Sequence, residues 1–214
     1  KIIQRSNNIL ILTHKGPDFD AFSSALILKK YINTVYPKKN VSFKTKQFPS
    51  LNIPFMDEIE IVEIIETSNE DTVILTDAGG WDICTTKQDT IQQTEAKLVI
   101  IDHHDTLSDS SHLTINNNMS SATEQVLDFC IKMGGDKFKI SKEISTLGQI
   151  GIVSDTGRFL FENTRPETYE FMSKLRRVYE FDIQDFEYKN IKFPIENLVP
   201  VTIYIQNLKI ENDM

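Results

Sequence analysis

The stretch LVIIDHH (98–104) is the strongest indication of the fold of this 214-residue chain. Its first four residues are all apolar, which is the pattern of a short strand buried in a parallel sheet. An aspartate and two adjacent histidines follow immediately, so three side chains that can ligate metals stand at the end of a buried strand. The stretch therefore predicts both a parallel sheet and a polar site at one edge of it.

Three further acid-rich corners lie at or just beyond the end of an apolar run. HKGPDFD (14–20) follows ILILT (9–13), Asp77 follows VILT (73–76), and Asp155 closes an apolar run at 150–153. Three of the four histidines stand in these corners, and we interpret the fourth, His112, as an ordinary loop residue. Such corners converge when the strands before them are neighbours.

The spacing of apolar residues predicts strands that alternate with helices. Strands are expected at 9–13, 41–45, 72–76 and 97–101, a short strand with a helical turn at 59–65, and a polar loop at 105–118. Helices are expected at 20–36, 121–133, 142–153 and 166–179, the last with Pro166 in its first turn. This order predicts an α/β fold, doubly wound, with a mainly parallel sheet and helices on both faces. In such sheets ligands bind beyond the carboxyl ends of the strands, where the corners lie.

The composition excludes some classes of function. A net charge of −8 argues against a protein that holds long duplex DNA through a broad basic face. No apolar run approaches the ~18 residues of a membrane helix, so no membrane partner is expected. With only Cys84 and Cys130, a disulfide framework is not expected, and a reducing cytoplasm is the predicted location.

The residue types in the corners favour hard divalent cations. Carboxylates with some imidazole suit Mn²⁺, Mg²⁺ or Co²⁺ better than a thiol-rich zinc site does. Each corner also has a structural interpretation. Asp18 or Asp20 can cap the following helix, Asp77 can be a cap or form a turn, and Asp102-His103-His104 can be a surface polar turn. Asp155 can belong to a helix C-terminal turn in which Gly157 is left-handed.

Two further places are candidates for substrate binding. Ser121 and Glu124 fit a capping box, and the same helix N-terminus, with the Ser120 and Ser121 hydroxyls, can attract a phosphate. The cap is the favoured interpretation. Arg158 can meet a phosphate, but a solvated arginine or a pair with Glu162 fits equally well.

Taken together, the corners resemble the DHH phosphoesterase superfamily. This superfamily includes RecJ-like exonucleases, nanoRNase and pAp-phosphatase enzymes, cyclic-di-AMP phosphodiesterases and family II inorganic pyrophosphatases. The resemblance covers residues from about 8 to 180, and all the metal motifs occur in order. It implies two divalent metal ions, most often Mn²⁺, and a first set of ligands made of His14, Asp18 and a bridging Asp77. The second set it implies comprises Asp20, Asp77, His103 and Asp155.

The resemblance also implies catalytic roles and a substrate class. His104 would contact the scissile phosphate or assist proton transfer, and Asp102 would support the histidine pair from behind. The implied reaction is two-metal hydrolysis of a small phosphorylated substrate: a short oligonucleotide, a cyclic or linear dinucleotide, or pAp. A family II-type pyrophosphatase or exopolyphosphatase is the alternative enzyme, and a non-catalytic metal- and nucleotide-binding module is the alternative from another class.

The end of the chain departs from the small-substrate members of this superfamily. Those proteins carry a second domain, called DHHA1, with a Gly-rich motif that ends in His, and no such motif occurs here. We therefore predict a DHH catalytic domain at 1–190 and the start of a linker toward a DHHA1-like domain at 191–214. A homodimer is compatible with the resemblance.

Overall fold

The structure is a computed structural model. It describes residues 1–46, 52–67, 69–86, 89, 96–105 and 111–191. The chain forms two compact units, Lys1–Phe181 and Asp182–Met214. Within the described residues, the second unit contains one helix, α7, at Ile183–Ile191. The domain boundary near residue 190 stays a prediction, because the predicted linker lies almost wholly outside the described residues.

A six-stranded sheet forms the centre of the first unit. Its strands are β1 Asn8–Leu12, β2 Asn40–Thr45, β3 Glu60–Ile61, β4 Thr72–Thr76, β5 Lys97–Ile101 and β6 Leu113–Ile115. Their order is β3-β2-β1-β4-β5-β6, and every neighbouring pair is parallel. The predicted α/β class with a parallel sheet is confirmed.

Within the described residues, the helices of the first unit are α1 Ile2–Arg5, α2 Phe19–Val35, α3 Trp81–Cys84, α4 Ala122–Gly134, α5 Lys142–Asp155 and α6 Pro166–Val178. Helices α2, α4, α5 and α6 correspond to the four predicted helices, whereas α1 and α3 are short additional turns of helix. Pro166 opens α6 as predicted, since its missing N–H is not needed in a first turn. Helix α5 runs two residues further than predicted, so Asp155 is its last residue rather than part of the turn after it.

Two local predictions were wrong. The predicted polar loop at 105–118 contains β6, which is only three residues long. This strand forms because it pairs with β5, and it has no apolar pattern of its own that would predict a strand. His112 joins this edge, because its N–H donates to Leu98 O at 2.8 Å and its Nδ1 accepts the Leu98 N–H at 3.0 Å. It is a structural residue of the sheet edge. The strand near 59–65 is β3, but no helical turn follows it before residue 67.

Both faces of the sheet are buried, which explains why its strands are continuous apolar runs. One face forms a cluster with α3 and the preceding loop, comprising Leu10, Leu12, Ile65, Val73, Leu75, Ala78, Cys84, Leu98 and Ile100. Alternate strand residues point to the other face, where α2 and α4 pack, and α5 packs against these two helices. In the described part of the chain, no helix combines the length and the apolar character that crossing a membrane requires.

Small residues let α2, α4 and α5 approach closely. A Cβ added at Gly151 of α5 would overlap the side chain of Thr123 on α4 and would lie 3.0 Å from the Cβ of Ser23 on α2. A Cβ added at Gly148 would lie 3.0 Å from a methyl carbon of Leu127. This packing matters for function because Asp20 lies at the start of α2 and Asp155 at the end of α5, and the first turn of α4 donates hydrogen bonds to Asp20.

The substitution Gly151→Ala is expected to destabilise the fold, because the added methyl group overpacks a three-helix contact. We expect a loss of about 1–3 kcal/mol in the free energy of unfolding, measured by urea denaturation. The control Ser173→Ala, on the exposed side of α6, should change stability by less than about 0.5 kcal/mol. Equal effects of the two substitutions would contradict the packing described here.

Candidate metal and phosphate site

The acid-rich corners converge at the carboxyl edge of the sheet. The chain runs outward from β1 to β3 on one side and from β4 to β6 on the other, so the strand order changes direction between β1 and β4. Leu12 of β1 lies opposite Leu75 of β4, and Thr76 lies opposite Ile101 of β5. The segments after these three strands therefore meet at the switch point, where α/β sheets bind their ligands.

Asp77 lies at the centre of the site. Its backbone is left-handed with φ of 53°, a conformation that aspartate tolerates better than most residues, and its N–H donates to Ile101 O at 3.1 Å. Its buried carboxylate places Oδ2 3.4 Å from His14 Nε2 and Oδ1 3.7 Å from His103 Nε2. The same Oδ1 lies 3.8 Å from His104 Nδ1. One carboxylate thus faces imidazoles from two different strand ends.

His14 and Asp18 complete one side of the site. The Nδ1 of His14 lies 3.0 Å from Lys15 O and must donate to that carbonyl, which leaves Nε2 toward the carboxylates when the ring is neutral. The side chain of Asp18 caps α2, accepting the N–H groups of Asp20 and Ala21 at 3.0 Å each. His14, Asp18 and Asp77 offer ligand atoms within 4.8 Å of one another. The helix-cap interpretation of Asp18 therefore holds alongside the ligand geometry.

His103, Asp155 and Asp20 form the other side. His103 Nε2 lies 3.4 Å from Asp155 Oδ2, and these three residues offer ligand atoms within 4.8 Å of one another. His103 Nε2 is buried and has no hydrogen-bond partner among the described residues. A buried ring nitrogen that faces carboxylates without a hydrogen bond is costly, so the arrangement fits a bound cation.

Asp20 also holds the N-terminus of α4. Its carboxylate accepts the Ala122 N–H at 2.7 Å and the Thr123 N–H at 2.9 Å, although Ala122 is 102 residues away in sequence. The Ser121 hydroxyl caps the same helix by accepting the Glu124 N–H at 3.0 Å. A carboxylate of the protein thus occupies the place at which an anion would bind.

This arrangement gives no support to Ser120 and Ser121 as substrate contacts. Both residues are fully buried, and Ser120 donates its hydroxyl to Glu124 Oε2 at 2.5 Å. The predicted capping box is only partly formed, because Glu124 accepts the Ser120 N–H at 3.2 Å rather than the N–H of Ser121. Arg158 is exposed and is not among the described residues that line the open cavity beside Asp77.

Asp102 orients the histidine pair. Its Oδ1 accepts the His103 N–H and the ring Nδ1–H of His104, both at 2.8 Å. Because Nδ1 is used in this way, His104 presents Nε2 to the cavity that it lines. Asp102 itself is fully buried, so it acts from behind the imidazole.

The crowding of acidic groups shifts their protonation. Burial, followed by the charges of Asp77 and Asp18, raises the pKa of Asp155 to about 7. Burial also raises the pKa of Asp20 well above its usual range. Hydrogen bonding to Asp77 raises the pKa of His14 to about 9. The protons that these groups retain compensate the negative charge of the carboxylates, and bound divalent cations can compensate the same charge instead.

An open cavity of about 510 Å³ lies over these groups. The described residues that line it are His14, Lys15, Asp18, Asp77, Gly79, Ile83, His104 and Asp155. Its volume suits a nucleotide-sized ligand.

Three residues that support the site, Asn163, Arg165 and Thr168, could not be identified from sequence. The Asn163 amide donates to Asp155 O at 3.1 Å and to Ser120 O at 2.7 Å, which ties the end of α5 to the start of α4. Buried Glu124 accepts from Arg165 at 3.1 Å and from Thr168 at 3.0 Å at the start of α6. These residues do not belong to a recognisable sequence motif, because they bind either backbone atoms or side chains more than forty positions away.

Comparisons with known proteins agree with this geometry. Residues 8–152 match the DHH family, N-terminal domain. The chain is 28% identical over 222 aligned residues to the probable bifunctional oligoribonuclease and PAP phosphatase NrnA of Streptococcus mutans, covering 99% of this chain and 65% of that protein. It is 27% identical over 184 residues to the bifunctional oligoribonuclease and PAP phosphatase NrnA of Bacillus subtilis, covering 82% of this chain and 54% of that protein.

The fold also has a solved counterpart. An exopolyphosphatase-related protein from Bacteroides fragilis superposes with a TM-score of 0.78 at 23% identity, over 98% of this chain and 64% of that one. The chain therefore spans between about half and two thirds of the length of the proteins that it matches.

Without metal, stability is expected to fall as the pH rises from about 6.5 to about 9. Hydrogen bonding to Asp102 raises the pKa of His104 to about 9, and His14 behaves in the same way. A pKa that is higher in the folded state stabilises the fold fully below the unfolded value, and this contribution is lost as the pH rises through the folded value. Thermal unfolding of the chelator-treated chain across this range measures the slope.

Added Mn²⁺ should reduce this fall, because metal replaces the protons and binds more tightly as the ligands deprotonate. The variant His104→Gln should show a shallower slope without metal. A chelator-treated chain whose stability rises over the same interval would contradict the proton sharing described here.

Proposed function

This chain belongs to the DHH family, and on that premise we propose that it is the hydrolytic domain of a metal-dependent phosphoesterase. The proposed substrates are short oligonucleotides and pAp. The observation that carries the proposal is the position of Asp77, whose carboxylate faces His14 on one side and His103 on the other. A shared carboxylate between two ligand groups is the arrangement that a two-metal hydrolase needs.

Every residue predicted to be a metal ligand belongs to one of two groups, and Asp77 is shared by both. His14 and Asp18 would hold one cation with Asp77, and Asp20, His103 and Asp155 would hold the other beside the same carboxylate. Mn²⁺ is the proposed ion, because oxygen ligands with imidazole suit it. When bound, such cations supply an acidified water and stabilise charge on phosphoryl oxygens.

His104 is proposed to act on the substrate directly. Its Nδ1–H is engaged by Asp102, so Nε2 is the ring atom available to the cavity. In the metal-free site the hydrogen bond to Asp102 raises the pKa of His104 to about 9, which favours the protonated ring. A protonated imidazole at this position can donate to a phosphate oxygen or to the leaving oxygen.

The choice of substrate rests on the relatives. The proteins from S. mutans and B. subtilis are named as oligoribonucleases and PAP phosphatases. Because this chain spans only part of their length, the activity of the whole protein is part of the proposal. A cytoplasmic location is also proposed, which the two unpaired cysteines support.

The direct test is Mn²⁺-dependent release of phosphate from pAp and of mononucleotides from short RNA. Asp77→Ala is expected to lower kcat by at least about a hundredfold, because both ligand groups lose a shared carboxylate. The matched control Asp136→Ala removes a fully exposed carboxylate and should leave kcat within about twofold. Undiminished activity in Asp77→Ala would refute the proposal.

The same assay separates the alternatives. Inorganic pyrophosphate is included as a substrate, and preferential release of phosphate from it would favour a pyrophosphatase. Binding of two Mn²⁺ per chain without turnover of any of the three substrates would favour a non-catalytic module. Calorimetric metal titration provides the stoichiometry for that decision.

A further inference from the structure

A second cavity adjoins the acidic one and differs from it in charge. It has a volume of about 260 Å³ and shares His14 and Lys15 with the first cavity. Its described lining comprises Thr13, His14, Lys15, Gly16, Lys44, Thr45, Lys46, Ile65, Cys84 and Thr86. Three of these residues are lysines and none is acidic, in a chain with 31 acidic and 23 basic residues. A concentration of positive charge is therefore built next to the candidate metal site.

The end of β2 places two of these lysines. Lys44 and Lys46 are two positions apart, so in an extended chain they point to the same side. Lys46 is anchored, because its ammonium donates to Asp89 at 3.0 Å and to Thr86 at 2.8 Å. Asp89 in turn accepts the Ile65 N–H at 2.8 Å, which fixes the wall of the cavity.

Lys44 and Lys15 are held more loosely than Lys46. Lys44 Nζ lies 3.7 Å from Glu70 Oε1, which is too long for a good charged hydrogen bond. Lys15 Nζ donates to the backbone carbonyl of Asp82 at 2.9 Å. Because this carbonyl is neutral, the contact does not neutralise the charge of the ammonium group. Both ammonium groups retain donors for an incoming anion, since each ammonium carries three.

We propose that this cavity binds a second phosphate of the substrate, the one that is not cleaved. The inference rests on the proposed function, in which the scissile phosphate occupies the neighbouring acidic cavity. Lysine ammonium groups bind phosphate as compact point charges, and no carboxylate is among the described residues that line this cavity. The shared wall at His14 and Lys15 places the two phosphates in adjoining spaces.

This site would select substrates with two phosphates. pAp carries a 3′-phosphate for hydrolysis and a 5′-phosphate for the lysines, and a short 5′-phosphorylated RNA has the same pairing. In 3′-AMP the single phosphate is the one that is hydrolysed, so it occupies the acidic cavity and leaves the lysine cavity without a phosphate. The preference for pAp over 3′-AMP therefore measures the contribution of the second cavity.

The experiment compares Lys44→Gln with Lys132→Gln in the 214-residue chain. Lys132 is an exposed lysine paired with Asp128 on α4, so both substitutions remove one lysine that has a carboxylate neighbour. Lys46 is left intact because it anchors Asp89. We expect Lys44→Gln to lower the ratio of kcat/KM for pAp to that for 3′-AMP by about tenfold. Lys132→Gln should leave the ratio unchanged.

A binding measurement without turnover makes the test independent of activity. Chelator-treated chain is titrated with 5′-AMP, with inorganic phosphate and with adenosine. The proposal predicts that 5′-AMP and phosphate bind, that adenosine does not, and that Lys44→Gln weakens the first two about tenfold. Equal binding of 5′-AMP by Lys44→Gln and wild type, or an unchanged substrate ratio, would overturn it. If the wild-type chain binds 5′-AMP in a Lys44-dependent manner but hydrolyses none of the substrates, the proposed function is refuted and the phosphate-binding cavity is not.

Discussion

The carboxylate of Asp77 is the constraint on which the rest of the site depends. It stands at the end of the central strand β4, is almost completely buried, and faces imidazole nitrogens that follow β1 and β5. Burying an acid beside other acids is unfavourable unless positive charge compensates it. The parallel sheet supplies the rigid edge that keeps these groups together, and protons or cations supply the charge.

A second constraint links the site to the helices. Asp20 lies at the start of α2, yet its carboxylate takes two N–H groups from the first turn of α4. Asn163 then joins the backbone of Asp155, at the end of α5, to Ser120 before α4. The close packing that Gly151 permits holds these three helices at the required distances. The helix bundle therefore positions Asp20 and Asp155 of one candidate metal site, whereas the ligands of the other site are positioned mainly by strand ends.

Much of the fold and of the candidate site could be predicted from the sequence, because both rest on local patterns. Buried strands such as 98–101 are recognisable as apolar runs, and the histidines and aspartates follow them directly. The edge strand Leu113–Ile115 was not predictable, since three residues in a polar segment acquire strand geometry only from their neighbour β5. The occupant of the α4 N-terminus was equally hidden, because Asp20 reaches it from 102 residues away. For the same reason the lysine-lined cavity, built from β1, β2 and distant loops, has no sequence motif.

If Asp77 is shared by two cations, crystals grown with Mn²⁺ and measured near the manganese absorption edge will show this directly as peaks of anomalous scattering. We expect two peaks, one among His14, Asp18 and Asp77 and the other among Asp20, His103 and Asp155, with Asp77 ligating both ions. A single peak, or two peaks with Asp77 bound to neither, would contradict it.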